Sequence, residues 1–414
     1  MKNTPLEDLT VLDLTTALAG PFATLLLAGL GARVIKIENP MGGGDTCRSN
    51  APYLGSEGGT LARRHEDDIS VSALNRLRNK LGVTLNLKHP EARALYADLV
   101  RKADVIVENF SRGTLERLGV GYGFAQERNP RIVYCSITGY GTDGDTGSGT
   151  TKAMDTIIQA LSGVMMTSGG PQDPPVRIGV PFADLTTPLF GLIGVLAAIH
   201  QAHRTGVGQH VDVSMLGVMT MMVSGEPFDL LERCGVPQRT GLTVPRLAPF
   251  GMYRTRDGYV SICAPMENFA HALFRAMGRE DLSTDPRFAK RDDRVIHVSE
   301  LDAIVESFTS ARTGAEVVAA LDEYGVPAAE VRNPRDAVRD PRVVKRGETV
   351  PLAHPKYGAV EDVYGMGMPI RFSGAEAGFD QAPPGMGEHN AAVYGDLLGY
   401  SSERIADLKA RQVI

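Results

Sequence analysis

Residues 9–38 read LTVLDLTTALAGPFATLLLAGLGARVIKIE, and this stretch decides the fold. Residues 11–14 form a short apolar run of β type, and residues 21–27 (PFATLLL) have helical character. Residues 33–38 (RVIKIE) alternate between apolar and polar side chains, as a strand does. A strand, a helix and a second strand in direct succession predict a right-handed βαβ unit with both strands parallel in one sheet.

The same alternation continues along the chain. Residues 104–109 (DVIVEN), 131–136 (RIVYCS) and 210–215 (HVDVSM) are strand-like, and helical stretches such as residues 91–102 separate them. Repeated alternation of this kind predicts an α/β fold with a large Rossmann-like domain around a parallel sheet. Ligands of such sheets bind beyond the carboxyl ends of the strands, so we expect the functional residues there.

Two parts of the chain depart from this alternation. Residues 42–78 are glycine-rich, charged and without period, which is typical of a long surface loop that acts as a lid or of plain irregular structure. In residues 225–345 the pattern changes to that of a smaller α+β domain. Residues 250–264 predict a β-hairpin there, because Asp257-Gly258 is a strong turn signal between two strand-like runs.

The sequence therefore predicts two domains. We expect residues 1–215 and 375–414 to build the large domain, since the last part of the chain predicts two amphipathic helices that pack back on the first part. Residues 225–345 form the small domain, and residues 216–224 and 346–374 are the expected linkers.

Composition and charge exclude several classes of protein. The net charge is −6 and 43% of the residues are apolar, so the chain is globular and nucleic acid is not an expected partner. No secretory leader is visible, and the longest apolar stretch, residues 189–199, is shorter than the ~18 residues of a membrane span. The four cysteines are scattered without metal-type spacing, so we expect reduced thiols, no metal site and a cytoplasmic protein without a membrane partner.

The first strand-to-helix turn suggests a nucleotide-binding fold but lacks its motif. Glu38 ends the second strand, as a ribose-binding acid would, yet the turn offers only Gly20 followed by Pro21. Gly29 and Gly31 lie at the far end of the helix, where glycine usually ends a helix. No P-loop motif and no G-x-S-x-G motif is present. These absences disfavour nicotinamide-dependent enzymes, nucleoside-triphosphate enzymes and the common serine hydrolases.

Asp184 is the first candidate for chemistry. It ends a strand-like run, residues 177–184 (RIGVPFAD), before an apolar helix predicted over residues 188–203. Asp184 is either the N-cap of that helix, or Pro188 takes the first helical position with Thr187 as the cap and Asp184 in the preceding loop. In the second case the carboxylate has no structural role. Near the positive end of a helix it would then remain ionised for chemistry.

Other candidates each have an ordinary structural explanation. Asp155 opens a predicted helix, where an acidic residue is favourable in any case. Asn109, Phe110 and Arg117 follow a strand and could hold an adenine by stacking and amide hydrogen bonds while pairing with a phosphate. Residues 83–88 (VTLNLK) are a further strand-like run, and Lys88 at its end is a second phosphate contact or an ordinary surface lysine.

Taken together, these segments resemble the class III CoA-transferases, the family of formyl-CoA and carnitine CoA-transferases. The matching stretches occur in family order over nearly the whole chain: residues 6–40, 44–48 (GDTCR), 75–80 (NRLRNK), 83–88 (VTLNLK), 103–119 (ADVIVENFSRGTLERLG), 155–165 (DTIIQALSGVM), 179–185 (GVPFADL), 205–215 (TGVGQHVDVSM) and 386–390 (MGEHN).

The resemblance implies that Asp184 is the catalytic aspartate, which forms an acyl anhydride and then a CoA thioester. Coenzyme A is the implied co-substrate, and acyl-CoA and small carboxylic acids, with a dicarboxylate such as succinate as donor, are the implied partners. It also implies a ring-like chain that interlocks with a second copy as a homodimer. The positions that match the family's CoA contacts, with Asp155 beside the active site, are Leu18, Ala19, Asn39, Leu85, Asn86, Leu87, Lys88, Asn109, Phe110, Ser111, Arg117, Lys152 and Asp155.

The chain also departs from branches of this family. Related racemases carry a histidine where this chain has Met154, so the second acid/base group of a 1,1-proton transfer is missing. The formyl-CoA branch carries arginine at the position of Asn39 and a glycine-rich loop that residues 225–265 lack, which disfavours oxalate and formate. Arg246 and Arg254 are candidates for a distal carboxylate contact. The alternatives are an intramolecular CoA-transferase or epimerase of the same fold and a non-catalytic partner subunit.

Overall fold

The computed structural model of the chain describes residues 3–143 and 152–414. These residues form two compact units. Unit 1 comprises the described residues of Met1–Ser162, Ile178–Met222 and Val338–Ile414, and unit 2 comprises Gly163–Arg177 and Val223–Ala337. Both ends of the described chain thus belong to unit 1. Gly163–Arg177 belongs to unit 2 although we expected it in the large domain, and most of both expected linkers belongs to unit 1.

The strands of the described residues, numbered in chain order, are β1 (Thr10–Asp13), β2 (Arg33–Glu38), β3 (Tyr53–Gly55), β4 (Gly58–Thr60), β5 (Ile69–Ser70), β6 (Lys80–Thr84), β7 (Val105–Glu108), β8 (Val133–Thr138), β9 (His210–Ser214), β10 (Phe250–Arg254), β11 (Tyr259–Cys263), β12 (Ala328–Glu330), β13 (Thr349–Pro351) and β14 (Tyr364–Met366).

The α-helices, numbered in the same way, are α1 (Ala19–Gly29), α2 (Val71–Arg76), α3 (Ala92–Arg101), α4 (Thr114–Arg117), α5 (Tyr122–Arg128), α6 (Asp155–Leu161), α7 (Phe182–Thr205), α8 (Met215–Val223), α9 (Phe228–Arg233), α10 (Glu267–Ala276), α11 (Arg291–Ile296), α12 (Val298–Ser310), α13 (Gly314–Asp322), α14 (Pro334–Ala337), α15 (Pro341–Lys345) and α16 (Ser402–Ala410). Short 3₁₀ turns lie at Thr46–Ser49, Val164–Met166 and Glu280–Ser283.

A parallel sheet forms the centre of unit 1. Within the described residues its strand order is β6-β2-β1-β7-β8-β9, and every neighbouring pair is parallel. β1, β7 and β8 are buried along their whole length, as the nearly continuous apolar sequence of central parallel strands requires. The predicted α/β fold with a parallel sheet is confirmed, and the carboxyl ends of β1, β7 and β8 lie side by side in the middle of the sheet.

Strand β6, which pairs with β2 in the parallel sheet, begins earlier than predicted. It spans Lys80–Thr84, not residues 83–88. Asn86 turns the chain instead, because its Oδ1 accepts the N–H of Lys88 at 3.2 Å and its carbonyl accepts the N–H of His89 at 2.8 Å. The prediction missed the first residues because Lys80 resembles a surface lysine, whereas its side chain is completely buried.

The prediction of irregular structure for residues 42–78 is wrong. This segment contains the antiparallel sheet β4-β3-β5 and helix α2. Leu54 and Leu74 are buried together with Leu352, so the segment has its own small core within unit 1. Strands of two or three residues leave almost no periodicity in a sequence, which is why the pattern did not predict them.

Helix α7 begins at Phe182, well before the predicted start at Pro188. The predicted strand over residues 177–184 is therefore wrong, as are both proposed positions of Asp184, which lies inside the first turn of α7. Pro188 lies within the helix and has no N–H, so the carbonyl of Asp184 lacks its intrahelical donor.

Helix α7 is also longer than the apolar stretch, residues 189–199, that we compared with a membrane span. By length and composition alone, α7 would suffice to cross a bilayer. It packs, however, against α1, β8 and β9 within unit 1, as the core helix of a globular unit does.

Unit 2 contains the predicted hairpin. β10 and β11 are joined by the turn at Asp257-Gly258, where the N–H of Thr255 donates to the carbonyl of Gly258 at 2.9 Å, and β12 adds a third antiparallel strand. The two helices predicted after the hairpin correspond to α10 and α12. Leu273 on α10 and Val305 on α12 lie in one apolar core with the inner faces of β10 and β11.

The last residues of the chain pack on unit 1. Ala391–Leu397 is a π-helical segment, not the predicted α-helix, and α16 follows it. Tyr394 and Leu408 are buried in the core below the parallel sheet, and the Tyr394 hydroxyl donates to the carbonyl of Thr84 at 2.8 Å. This hydrogen bond ties the end of the chain to β6.

Candidate active site

A cavity of about 400 Å³ lies at the carboxyl ends of β1, β7 and β8, where a parallel sheet usually binds its ligand. Its walls come from the loops after these three strands and from the first turns of α6 and α7. The candidates from the sequence that line it are Leu18, Ala19, Asn109, Phe110, Ser111, Asp155 and Asp184.

The loop between β1 and α1 is held in place by hydrogen bonds from distant side chains to its backbone. Asn109 Oδ1 accepts the N–H of Thr16 at 2.8 Å, and its Nδ2 donates to the carbonyl of Thr16 at 2.9 Å. Asp45 Oδ1 accepts the N–H of Ala17 at 2.9 Å, and Arg76 donates to the carbonyl of Ala17 at 2.8 Å. Ala17 thereby adopts a φ of 69°, which is rare for a residue other than glycine. The Asn109 amide, a predicted adenine contact, is thus occupied by this loop.

A buried charge network supports the same loop. Asp13 contacts Lys36 at 3.4 Å and Lys80 at 2.9 Å, and Lys36 also contacts Asp45 at 2.8 Å; all four side chains are completely buried. Burial alone would raise the pKa of Asp13, but Lys36 and Lys80 hold that pKa well below its usual range. Because Asp45 also binds the N–H of Ala17, the network connects the interior of the sheet to the cavity wall.

Asp184 is a half-buried carboxylate on the wall of the cavity. Within the described residues, no hydrogen bond is accepted by its side chain. Burial and, to a smaller extent, the negative charge of Asp155 raise the pKa of Asp184 to about 6, although the positive charge of Arg76 acts in the opposite direction. Such a carboxylate is ionised at neutral pH but poorly solvated, which suits a nucleophile.

Asp155 lies at the start of α6 and contacts the start of α7. Its Oδ1 accepts the N–H of Ala183 at 2.9 Å and that of Asp184 at 3.4 Å. Its Oδ2 accepts a hydrogen bond from Gln159 Nε2 at 2.8 Å. The sequence pattern predicted a favourable charge at the start of α6, and the resemblance implied a place beside the active site. In the structure, Asp155 caps the helix that carries Asp184.

The remaining candidates for CoA contacts lie outside this cavity in the described part of the chain: Asn39, Leu85, Asn86, Leu87, Lys88, Arg117 and Lys152. Lys88, Arg117 and Lys152 are exposed, whereas Leu85 is buried in the core of unit 1. Arg117 donates to the hydroxyl of Thr114 at 3.1 Å. These exposed cations would contact a part of the ligand that lies outside the cavity.

The two arginines suggested for a distal carboxylate have partners within unit 2. Arg246 Nη2 donates to both carboxylate oxygens of Glu226 at 2.6 Å. The guanidinium of Arg254 lies over the ring of Tyr259, 5.8 Å from its centroid. Neither side chain is therefore poised for a substrate in this conformation of unit 2.

Two residues at the site were not predicted from the sequence. Gln159 follows Asp155 by one helical turn, a spacing at which aspartate and glutamine pair on a helix, so the signal was present. Arg76 lies in the segment that we expected to be irregular, and no local pattern indicates its contact with Ala17.

A second cavity of about 400 Å³ adjoins the first and shares Phe110 and Ser111 with it. Burial raises the pKa of Glu108, on its wall, to about 7, although a hydrogen bond with Ser136 opposes the increase. Ser136 Oγ is also 2.9 Å from His210 Nε2. Among the residues that the structure describes, no group of three or more His, Cys, Asp or Glu side chains is arranged to hold a metal ion.

Comparisons with known proteins agree on one family. The family model described as CoA-transferase family III matches residues 6–390. The succinyl-CoA–D-citramalate CoA-transferase of Chloroflexus aurantiacus is 36% identical over 414 residues, covering 99% of this chain and 98% of that protein. The succinate–glutarate CoA-transferase of Agrobacterium fabrum is 32% identical and covers 95% of this chain and 96% of that protein.

A solved structure has the same fold. The CAIB/BAIF family protein from Brucella suis superposes with a TM-score of 0.79 at 32% identity, covering 96% of this chain and 100% of that chain. The match to the family includes all six strands of the parallel sheet and ends just before the π-helical segment Ala391–Leu397. The chain therefore belongs to CoA-transferase family III and is a CoA-transferase.

Proposed function

We propose that the protein transfers coenzyme A between carboxylic acids, at least one of them a dicarboxylate, with Asp184 as the covalent carrier. The observation that supports this role is the state of Asp184. It lines the cavity at the carboxyl edge of the sheet, accepts no hydrogen bond from the described residues, and has a pKa raised by burial to about 6.

The reaction proceeds in two mirrored halves. The Asp184 carboxylate attacks the carbonyl carbon of the donor thioester, the C–S bond breaks, and CoA leaves as a thiolate while an acyl–aspartyl anhydride forms. The thiolate then attacks the aspartyl carbonyl, and the donor acid leaves as its carboxylate. The acceptor carboxylate reverses both steps, which releases the new thioester and regenerates Asp184. Each step exchanges one activated acyl bond for another, so no nucleoside triphosphate is consumed.

The choice of a dicarboxylate rests on the relatives. One is named as a succinyl-CoA–D-citramalate CoA-transferase and another as a succinate–glutarate CoA-transferase, each over nearly the full length of this chain. For CoA, we propose that Leu18, Ala19, Phe110 and Ser111 contact the part of the molecule near the thioester, because these residues line the cavity with Asp184. The exposed candidates Lys88, Arg117 and Lys152, with Asn39 and the 85–87 backbone, would contact its distal part.

Trapping the intermediate tests this proposal. Incubation with succinyl-CoA followed by hydroxylamine should leave a hydroxamate at Asp184, because the anhydride and the thioester are both activated acyl derivatives of its carboxylate. Trypsin separates the two acidic positions, since cleavage after Lys152, Arg177 and Arg204 gives one peptide with Asp155 and another with Asp184. We expect the modification, by mass spectrometry, only in the peptide of residues 178–204.

Other outcomes identify the alternatives. Modification of the peptide of residues 153–177 alone would contradict the assignment of Asp184. Deuterium incorporation at the α-carbon of the substrate, without exchange of CoA between acids, would indicate an epimerase. Transfer that appears only after a homologous chain is added would indicate a non-catalytic subunit.

We further propose an interlocked homodimer in the cytoplasm. Leu189, Ile193 and Leu196 are exposed along one face of α7, at a spacing that forms a continuous apolar stripe in unit 1. A second copy of the chain would cover this stripe. All four cysteines are free, which suits a reducing compartment. Sedimentation equilibrium should give twice the mass of the chain, and a stable, active monomer would contradict the dimer.

A further inference from the structure

The start of helix α7 has no capping side chain of its own. Pro181 occupies the N-cap position and makes no side-chain hydrogen bond. The first N–H groups of a helix have no intrahelical acceptor, and a cap normally supplies one from the preceding residues. In α7 that acceptor is the carboxylate of Asp155, which receives the N–H groups of Ala183 and Asp184 at 2.9 and 3.4 Å.

A buried glutamine holds Asp155 in this place. Gln159 is completely buried, and its Nε2 donates to Asp155 Oδ2 at 2.8 Å and to the carbonyl of Val180 at 3.4 Å. Its Oε1 accepts the N–H of Ile178 at 2.9 Å. Gln159 thus binds both the cap and the backbone that leads into α7, so α6 determines where the first turn of α7 lies.

We propose that Asp155 is a positioning residue for the reaction at Asp184: its carboxylate caps the turn that carries the nucleophile and sets the charge that the nucleophile faces. The inference rests on the proposed role of Asp184. In this inference Asp155 acts through its hydrogen bonds to the backbone of residues 183 and 184, and not through a contact with CoA.

The charge of Asp155 matters because, in the part of the chain that the structure describes, two charged groups act on Asp184. They are Asp155 from α6 and Arg76 from α2. Burial is the main cause of the raised pKa of Asp184, the like charge of Asp155 adds to it, and Arg76 opposes both. A higher pKa makes a carboxylate a stronger nucleophile once it is ionised, so Asp155 adjusts reactivity as well as position.

Two substitutions separate the cap from the charge. Asp155→Asn keeps an oxygen that can accept the N–H of Ala183 but removes the negative charge, whereas Asp155→Ala removes both. For the wild type, kcat/KM for the CoA thioester should fall as the pH decreases through about 6, where Asp184 takes up a proton. In Asp155→Asn this acid limb should move to lower pH, because the pKa of Asp184 loses one of the causes that raise it.

Asp155→Ala should lower kcat on the order of 10²-fold, since a displaced first turn moves the nucleophile out of line with the thioester. The KM for the thioester should change little, and Asp155→Asn should recover most of the lost kcat at pH 8. Glu127→Gln is the matched control, because it removes the same charge from an exposed position on α5 of unit 1. Its profile should coincide with that of the wild type.

Three results would overturn the inference. An unmoved acid limb in Asp155→Asn would show that its charge does not reach Asp184. A weaker affinity for CoA with an unchanged kcat in Asp155→Ala would make Asp155 a CoA contact. Equal losses of kcat in both variants would show that the capping hydrogen bonds are not what kcat depends on. Failure of the proposed function itself would be recognised separately, by full turnover in a variant without the carboxylate of residue 184.

Discussion

Asp184→Ala should abolish CoA transfer, with a loss of kcat of roughly 10³-fold or more, while CoA still binds. The reason is that every proposed step forms or breaks a bond to the Asp184 carboxylate, and no other carboxylate among the described residues of the cavity wall lacks a partner: Asp155 already accepts three hydrogen bonds. Transfer between succinyl-CoA and a dicarboxylate would be measured by mass spectrometry, and the affinity for CoA by calorimetry. Full turnover in the variant would refute the assignment.

Asp184→Asn supplies the folding control, because it should stabilise the protein at neutral pH. The pKa of Asp184 is about 6 in the folded protein, whereas that of an unperturbed aspartate, as in the unfolded chain, is 3.8. Below pH 3.8 the residue is protonated in both states and has no effect. Between pH 3.8 and 6 the unfolded state loses this proton while the folded state keeps it, so the stability of the wild type falls over this range. Above pH 6 the folded state holds a poorly solvated charge, and the full cost is about 3 kcal/mol.

The asparagine variant avoids this cost, so its urea midpoint should exceed that of the wild type above pH 6 and approach it at lower pH. A loss of activity combined with this gain would show that the carboxylate serves the reaction and not the fold. An inactive variant with a lower midpoint at pH 8 would instead indicate a structural role for Asp184.

The parallel sheet could be predicted because its signals are local. The apolar runs of β1, β2 and β7 and the helical stretches between them are each visible in a short window of sequence. The hairpin of β10 and β11 was predicted for the same reason, since Asp257-Gly258 specifies the turn. The start of α7 was not, because its cap is supplied by Asp155, which lies 28 residues before Ala183. No window around Pro188 contains that information.

The features of the site likewise divide into those that a local segment predicts and those that depend on distant residues. Asp184, Phe110 and Ser111 follow recognisable segments, and the structure brings them to one cavity. The contact of Arg76 with Ala17, by contrast, spans 59 residues of sequence, and that of Asn109 with Thr16 spans 93. Tertiary hydrogen bonds of this length depend on the assembled sheet, so the sequence predicts the presence of these side chains but not their partners.

The buried charge network is the second place where a single substitution should have a large effect. Lys80→Met should lower the stability of unit 1 by about 3–5 kcal/mol, because it leaves Asp13 buried with one cation fewer. Lys80 also donates to the hydroxyl of Thr24 at 2.7 Å and to the carbonyl of Pro21 at 3.0 Å, and both acceptors would lose that donor. The change would appear as a lower urea midpoint by circular dichroism.

Lys356→Met is the matched control, since Lys356 pairs with Asp67 at the surface of unit 1, where solvent reaches both side chains. Its midpoint should change far less, because solvent already screens an exposed pair.

The double variant Asp13→Asn, Lys80→Met distinguishes an uncompensated charge from a lost packing contact. It removes one charge of each sign and leaves the contact between Lys36 and Asp45 at 2.8 Å intact. The asparagine side chain introduced at position 13 can still accept the N–H of Thr15, which Asp13 Oδ1 accepts at 2.9 Å. If Lys80→Met destabilises through the unpaired charge of Asp13, the double variant should be the more stable of the two. If it is the less stable, the network contributes through its hydrogen bonds, and the loop beside Asp184 depends on each of them separately.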